Sequence, residues 1–155
     1  MNDYVFRYTE VMLWRAEALI ELDRNGEAMN IINDIRQRAK NSVSKYIGYA
    51  ADQCDIALYD AATFNADPRR ALRWERRLEL AMEHERYFDL RRWGIAEQTL
   101  KAFFASEQKD VYEGQEYALY YKDAFYTTDK NEYWPVPYNQ MYYVPGLYKQ
   151  NKGYN

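Results

Sequence analysis

Cysteine, histidine and glycine are scarce in this sequence, and each shortage excludes a class of site. The single cysteine, Cys54, cannot form an internal disulfide or build a cysteine-rich zinc or iron–sulfur site. The only histidine, His84, lies among charges in a predicted helix, where we interpret it as a surface or packing residue. No phosphate loop or GxGxxG pattern is present. We therefore predict no catalytic residue, no metal and no cofactor.

A strong excess of charge and long apolar runs are also missing. The formal charge of −3 leaves no basic surplus for binding phosphate groups, so we predict no nucleic-acid partner. No stretch is long and apolar enough to cross a bilayer. The residues after Met1 do not have the basic and apolar regions of a signal peptide. Direct membrane insertion by this chain is therefore not expected.

Aromatic residues, by contrast, are abundant. Seventeen tyrosines, six phenylalanines and four tryptophans make up 17% of the chain. Tyrosine and tryptophan bury an apolar ring and keep a polar group, which suits wet binding surfaces. In the last third of the chain the rings have two interpretations: packing of an irregular tail onto the helices, which we favour, or contact with a ligand. The ligand-binding candidates are Tyr120, Tyr126, Trp134 and Tyr138.

Apolar residues recur at helical spacing in the first 40 residues. This spacing predicts one helix over residues 4–22 and a second from Glu27 to about Ala39, joined by a short polar turn. So short a turn makes the two helices fold back on each other, in a tetratricopeptide-like layout with small residues at the crossing. One such pair cannot bury its own face, so other segments must cover it. The expected apolar faces contain Tyr8, Val11, Met12, Leu19 and Leu22 in the first helix, and Ala28, Ile31, Ile32 and Ile35 in the second.

The capping residues and the apolar pattern in the middle of the chain predict one long helix. Asp67 is a good N-cap and Pro68 suits the first helical position. The pattern extends through Arg86 and as far as Trp93, with Gly94 as its stop. A short helix is expected over residues 95–105, and an irregular tail after it, in which residues 117–121 and 125–128 are candidates for a short β-hairpin. The predicted fold class is mainly α.

The long helix carries dense, alternating charges. They have two interpretations: a solvated face held by pairs worth a few tenths of a kcal/mol each, or a partly buried network whose pairs cost about 3–5 kcal/mol to break. We favour the structural network, which contains Glu75, Arg76, Glu79, Glu83, Arg86, Asp89 and Arg92. The arginine within a turn of each of the first three glutamates is expected to lower its pKa, whereas a glycosidase acid needs the opposite.

The same stretch, ERRLELAMEHERYFDLRRWG, resembles the signature of the SusD/RagB family, in which ER-x-x-EL leads into E-x-x-R-[WY]-F-DL-x-R. The upstream segments 7–11, 16–18 and 32–39 resemble the family's R-x-x-E, AEA and N-x-I/V-R-x-R-A blocks. Residues 135–137 stand at its P-I-P element, and residues 147–154 resemble its L-x-Q-N-P-G-Y ending. The sequence departs from the pattern at His84, where the family usually has glycine, and at Lys152, which replaces a proline.

The resemblance implies a function that the residues alone do not. Family members are surface lipoproteins of Bacteroidetes-type bacteria, several hundred residues long, that bind oligosaccharides, or sometimes peptides, for nutrient uptake and polysaccharide utilisation. They act as a lid on a TonB-dependent outer-membrane transporter and are anchored by a lipidated cysteine that this chain lacks. The resemblance thus implies a carbohydrate-binding protein of the outer membrane and not an enzyme.

On this interpretation residues 1–155 are a single C-terminal segment of a SusD-like protein. It would contain a tetratricopeptide-like helix pair (1–40), the signature helices (67–105) and a docked irregular tail (106–155). The alternative, from a different class, is a freestanding tetratricopeptide-like module that binds a protein segment in its groove.

Overall fold

A computed structural model of the chain describes residues 6–46, 56–107, 111–112, 115–116, 121 and 123–154. These residues are mainly helical, as predicted, and the chain divides into two compact units, residues 1–85 and 86–155. The first unit contains helices α1 (Tyr8–Glu21), α2 (Asn25–Tyr46), α3 (Ala61–Ala66) and α4 (Pro68–Glu79). The second contains α5 (Arg86–Arg92), α6 (Ala96–Glu107), strands β1 (Val111–Tyr112) and β2 (Gln115–Glu116), and α7 (Tyr138–Tyr143). None of the helices described is long and apolar enough to cross a membrane.

The first unit is built on a core shared by its four helices. Ala28, Ile32 and Ile35 are buried on α2, which confirms the face predicted for that helix. Ala16 and Ala28 have no exposed surface, and small side chains there let α1 and α2 approach closely. The buried core consists of Leu13, Ala16, Leu19, Ile20, Ala28, Ile32, Ile35, Phe64, Ala71, Leu72 and Leu80.

The face predicted for α1 is partly wrong. Tyr8, Val11 and Leu22 are exposed, whereas Leu13 and Ile20 are buried. Apolar residues surround much of this helix, so periodicity alone does not select one face. The buried face also carries two polar residues, Thr9 and Glu10, whose partners lie on other helices.

Side chains set the path of the chain between α2 and α4. The side chain of Asn33 donates to the Tyr59 carbonyl at 2.9 Å and accepts from the Tyr59 amide at 2.8 Å. These bonds occupy the backbone groups that a helix would need, and residues 56–60 are not helical. Asp60 and Asp67 then cap α3 and α4, each accepting from the backbone amide three residues later. The predicted start of α4 at Asp67-Pro68 is confirmed.

The predicted long helix is wrong, because the chain leaves the helix after Glu79 and re-enters one at Arg86. In the turn between them, Met82 and His84 both have φ of 67°, a left-handed conformation that an α-helix excludes. A continuous helix predicts core positions at Leu72, Leu78, Met82 and Phe88. Of these Leu72 is buried, whereas Leu78, Met82 and Phe88 are exposed, and Met82 is 94% exposed.

This turn gives a stability prediction at His84. A non-glycine residue in the left-handed region costs about 1 kcal/mol, and glycine avoids the cost. The His84 side chain is exposed, so its removal sacrifices little packing. We expect His84→Gly to raise the free energy of unfolding by up to about 1 kcal/mol, measured by urea denaturation. His84→Ala is the matched control and should give no gain; a glycine variant less stable than the alanine variant would contradict the strain.

A smaller core lies in the second unit. Leu90, Ala96 and Tyr126 are buried, with four partly buried side chains packed around them: Tyr87, Ile95, Leu100 and Phe104. Gly94, at φ 68°, follows the end of α5 as predicted. The antiparallel hairpin pairs Val111 with Glu116 and Tyr112 with Gln115. It lies upstream of the predicted one, of which residues 117–120 are outside the described chain and residues 125–128 are not strand.

The terminal motifs of the chain bind each other. Gln150 accepts from the Val136 amide at 2.7 Å and donates to the Val136 carbonyl at 3.0 Å. Asn151 donates to the Trp134 carbonyl at 2.6 Å. The side chains of the Gln-Asn pair therefore serve as hydrogen-bond partners for the extended segment around Pro135-Val136-Pro137, where two prolines lack amide hydrogens.

Candidate functional site

The charged motif residues of the first unit pair with each other across three helices. Arg7, just before α1, donates to the carboxylates of Glu79 and Glu83, each at 2.7 Å. Arg38 on α2 also binds the Glu79 carboxylate and donates to Thr9 on α1 at 3.1 Å. Glu79, the last residue of α4, thus connects the start of α1 with α2. Arg7 reaches the Glu79 carbonyl as well, which places a cation at the negative end of the α4 dipole.

A second pair lies deeper in the unit. Arg36 on α2 donates to the Glu75 carboxylate on α4 at 2.9 Å, and both side chains are largely buried. The same guanidinium donates to the Ala57 carbonyl at 2.6 Å and lies 4.9 Å from the centre of the Tyr59 ring. Arg36 therefore joins α2, α4 and the segment that precedes α3.

The third pair is the most buried. Arg76 on α4 and Glu10 on α1 approach to 3.8 Å, with their side chains 1% and 5% exposed. Arg76 is the bulkiest of the fully buried side chains described. A charge this far from water is tolerated only beside an opposite charge and hydrogen-bonding groups, so the pair fixes the position of α4 against α1.

Glu75 departs from the electrostatic prediction. Burial raises its pKa, and this effect exceeds the lowering caused by its hydrogen bond with Arg36. The prediction of a lowered pKa is therefore wrong for Glu75, because the sequence reveals the nearby arginines but not the depth of burial. A raised pKa is also a feature of general acids. Here, however, the carboxylate is bound by Arg36 and the residue is only 4% exposed, so a substrate has no access to it.

The raised pKa predicts a pH dependence of stability. The folded state holds the Glu75 proton more tightly than the unfolded state does. The resulting contribution to stability is complete below the ordinary glutamate pKa and is lost as pH rises through the raised pKa of the folded state. Glu75→Gln removes the titrating group. We expect the stability of the glutamine variant relative to the parent to increase between about pH 4 and about pH 7, measured by urea denaturation at each pH. A constant difference across that range would show that Glu75 does not titrate abnormally.

The seven residues predicted as one network fall into two groups, one in each unit. Glu75, Arg76, Glu79 and Glu83 belong to the first. Arg86, Asp89 and Arg92 belong to the second, where the Arg92 Nε donates to the Asp89 carboxylate at 2.9 Å. Asp89 is buried, and the Arg92 guanidinium lies 4.8 Å from the centre of the Trp93 ring.

Four partners in the first group were not predicted. Arg7, Glu10, Arg36 and Arg38 lie up to 76 residues from the carboxylates and arginine that they contact. Periodicity along one helix does not identify partners on another helix. The available signal was that these charges belong to the motif blocks of the first two helices.

The aromatic candidates of the second unit are only partly brought together. Tyr126 and Trp134 line one cavity of about 320 Å³, with Glu132 between them in sequence. Tyr126 is 5% exposed, whereas Trp134 is 89% exposed. Tyr138 lies on α7, where its ring stacks on Tyr142 with centroids 6.2 Å apart, and Tyr120 is outside the described residues.

Burial raises the pKa of Tyr126, and hydrogen bonding with the side chains of Glu132 and Tyr87 adds to the rise, so its hydroxyl remains protonated at neutral pH. Tyr126 and Glu132 therefore lie close together in the aromatic wall of the cavity. Glu132 was not among the predicted site residues, since a single carboxylate in a tyrosine-rich loop carries no pattern.

Comparison with known proteins agrees with these motifs. The sequence model of the SusD family, SusD_RagB, matches residues 1–154. The chain is also 35% identical over 96 residues to the SusD-like protein P25 of Formosa agariphila. That alignment covers 61% of this chain and 16% of the relative, so the chain corresponds to a small part of that protein's length. No solved structure matches the chain.

Proposed function

Because this chain belongs to the SusD family, we propose that it is the C-terminal part of a cell-surface protein that binds glycans for nutrient uptake. The observation that carries the proposal is the family match over residues 1–154, which includes every motif block. The complete protein would work with a TonB-dependent outer-membrane transporter in polysaccharide utilisation. It would be held at the outer membrane by a lipid anchor on its N-terminal portion.

The first unit is the scaffold of this binding protein. Its motif carboxylates, Glu10, Glu75, Glu79 and Glu83, are all bound by arginines from other elements. The oxygens of carboxylates held in this way are occupied by guanidinium groups, so they are not available to attack a substrate. The arrangement therefore suits a binding protein and supports no enzymatic role for these residues.

Aromatic surface in the second unit suits glycan contact. Tyr138, Tyr142 and Tyr143 on α7 are exposed, and so is Trp134. Sugar rings present C–H faces that pack against aromatic rings, while tyrosine hydroxyls bond to sugar hydroxyls. Rings that are exposed to this degree contribute little to the core of the unit.

The test uses the full-length protein that contains this chain. A tagged, lipid-anchored form is purified from detergent-solubilised outer membranes and screened on an array of plant, algal and host polysaccharides. We expect retention of at least one glycan and co-purification of a TonB-dependent transporter. An unrelated tagged surface lipoprotein is the control for non-specific capture. Failure to retain any glycan together with absence of the transporter would contradict the proposal.

A further inference from the structure

A cavity in the first unit lies between α3 and α4. Its volume of about 440 Å³ falls within the roughly 300–1,000 Å³ found for ligand pockets. It is lined by Tyr59, Thr63, Asp67, Arg70, Trp74 and two alanines. Arg70 is exposed and Trp74 is 49% exposed, so in this chain both a cationic group and an indole ring of the lining are reached from solvent.

The fold holds the walls of this cavity in place. The Tyr59 ring packs edge-on against Phe64 with ring centres 5.8 Å apart, and the Arg36 guanidinium lies 4.9 Å from the centre of the same ring. On the other wall, Asp67 accepts from the Arg70 amide at 2.9 Å and fixes the start of α4. A cavity whose walls are already fixed loses little binding energy to the ordering of side chains.

Two arginines beside the cavity lack a carboxylate partner. Many charged side chains of the first unit are paired, as Arg69 is with Glu21 at 2.7 Å. Arg70 and Arg77 are exposed, and within the described residues neither guanidinium forms an ion pair or a hydrogen bond. They lie on one face of α4 with Trp74 between them, and the Arg77 guanidinium is 5.5 Å from the centre of the Trp74 ring. This face therefore presents two unpaired cations around one aromatic ring.

The charges at the cavity favour a ligand with a negative group. Asp67 has the only carboxylate among the lining residues, and its Oδ1 already accepts the Arg70 amide. Arg70 and Arg77 outweigh this single negative charge. A guanidinium binds an acidic group through parallel N–H donors, and the half-exposed Trp74 indole offers an apolar face to a saturated ring.

We propose that this cavity binds an acidic sugar residue, whose carboxylate or sulfate group bonds to Arg70 and whose ring packs against Trp74. An acidic peptide would supply the negative group but not a saturated ring for the indole. The inference rests on the proposed function. It adds a ligand contact to the unit that serves as scaffold, and it names the charge class of the glycan held there.

The experiment is an NMR titration of the 155-residue chain with three probes: methyl glucuronide, glucose 6-sulfate and the neutral methyl glucoside. We expect at least one acidic probe to shift the Trp74 indole N–H signal and to bind about tenfold or more tightly than methyl glucoside. Comparison of the two acidic probes distinguishes a carboxylate from a sulfate ligand.

Four variants locate the binding. Arg70→Gln should remove the preference for the acidic probe, and Trp74→Ala should weaken its binding, followed by saturation transfer to the probe. Asp67→Asn keeps a good helix cap and removes the negative charge, so it should bind the acidic probe more tightly. Arg15→Gln, at an exposed position of α1 outside the cavity, is the matched control and should bind as the parent does. Circular dichroism verifies the fold of each variant.

The outcomes separate this inference from the proposed function. Equal binding of the acidic probe by the parent and Arg70→Gln overturns the site, and methyl glucoside binding as tightly as the acidic probes overturns the acidic class. An acidic dipeptide that binds more tightly than either acidic sugar overturns the sugar. No binding of any probe by the chain, with glycan binding retained by the full-length protein, overturns this site alone and leaves the proposed function standing.

Discussion

Replacement of Arg76 by methionine is expected to lower the stability of the first unit by about 3–5 kcal/mol, the range for breaking a buried ion pair. The side chain of Arg76 is 1% exposed and that of its partner Glu10 is 5% exposed. Methionine fills much of the same volume, so the main loss is the positive charge 3.8 Å from the Glu10 carboxylate. The carboxylate would then remain buried beside a neutral side chain. Hydrogen exchange of the amides in α1, α2 and α4 measures the effect in this unit alone.

A double variant tests whether the charge pair itself is responsible. Replacing both partners, Arg76→Met with Glu10→Leu, removes both buried charges, and such replacements are often close to neutral. We expect the double variant to recover most of the stability lost in Arg76→Met. Additive losses in the double variant would show that packing, and not the ion pair, holds α4 against α1.

Asp89→Ala is expected to destabilise the second unit by about 2–3 kcal/mol. Asp89 is 3% exposed and accepts from Arg92 at 2.9 Å. The loss is smaller than for Arg76 because the Arg92 side chain is 40% exposed, so water can solvate the guanidinium once its partner is gone. Asp89 also lies in the first turn of α5, where the helix dipole favours a negative charge. Hydrogen exchange of the amides in α5 and α6 gives the measurement.

Glu107→Ala is the matched carboxylate control for Asp89. Glu107 is the last residue of α6, where the dipole opposes a negative charge, so its removal should cost little. Equal protection of the α5 and α6 amides in the two variants would contradict a structural role for Asp89. A loss of protection in Asp89→Ala alone would show that the charge of Asp89 stabilises the second unit.

Local features of the fold could be predicted from the sequence. The buried face of α2 follows from two isoleucines and an alanine at helical spacing, and the start of α4 follows from Asp67 and Pro68. Each depends on residues within one or two turns of each other. The mainly helical class follows from the same local signals, which propensity and periodicity report directly.

The break after α4 could not be predicted from periodicity. Residues 80–85 contain neither proline nor glycine, and nothing in their pattern reports a left-handed backbone at Met82 and His84. The relevant signal was His84 itself, which stands where the family pattern usually has glycine. A position that prefers glycine often needs positive φ, and that reasoning would have placed a turn there.

Contacts between residues that are distant in sequence could not be predicted either. Arg7 and Glu79 are 72 residues apart, and their pairing depends on how α1, α2 and α4 pack. In the candidate site, Tyr126 and Trp134 meet at one cavity, whereas Tyr138 stacks within α7. The aromatic composition indicated that rings would be available, but the loop that brings Glu132 to them is a property of the tertiary fold.

The bonds between Gln150 and Val136 restrict which amino acids can occupy position 150. The side chain must present an acceptor to one backbone group and a donor to the other at the same time. Glutamate has the length but no hydrogen to give when ionised, and asparagine has the amide but is one methylene shorter. Glutamine alone among the uncharged amides spans the gap, so this position tolerates less chemical variation than its place near the end of the chain would suggest.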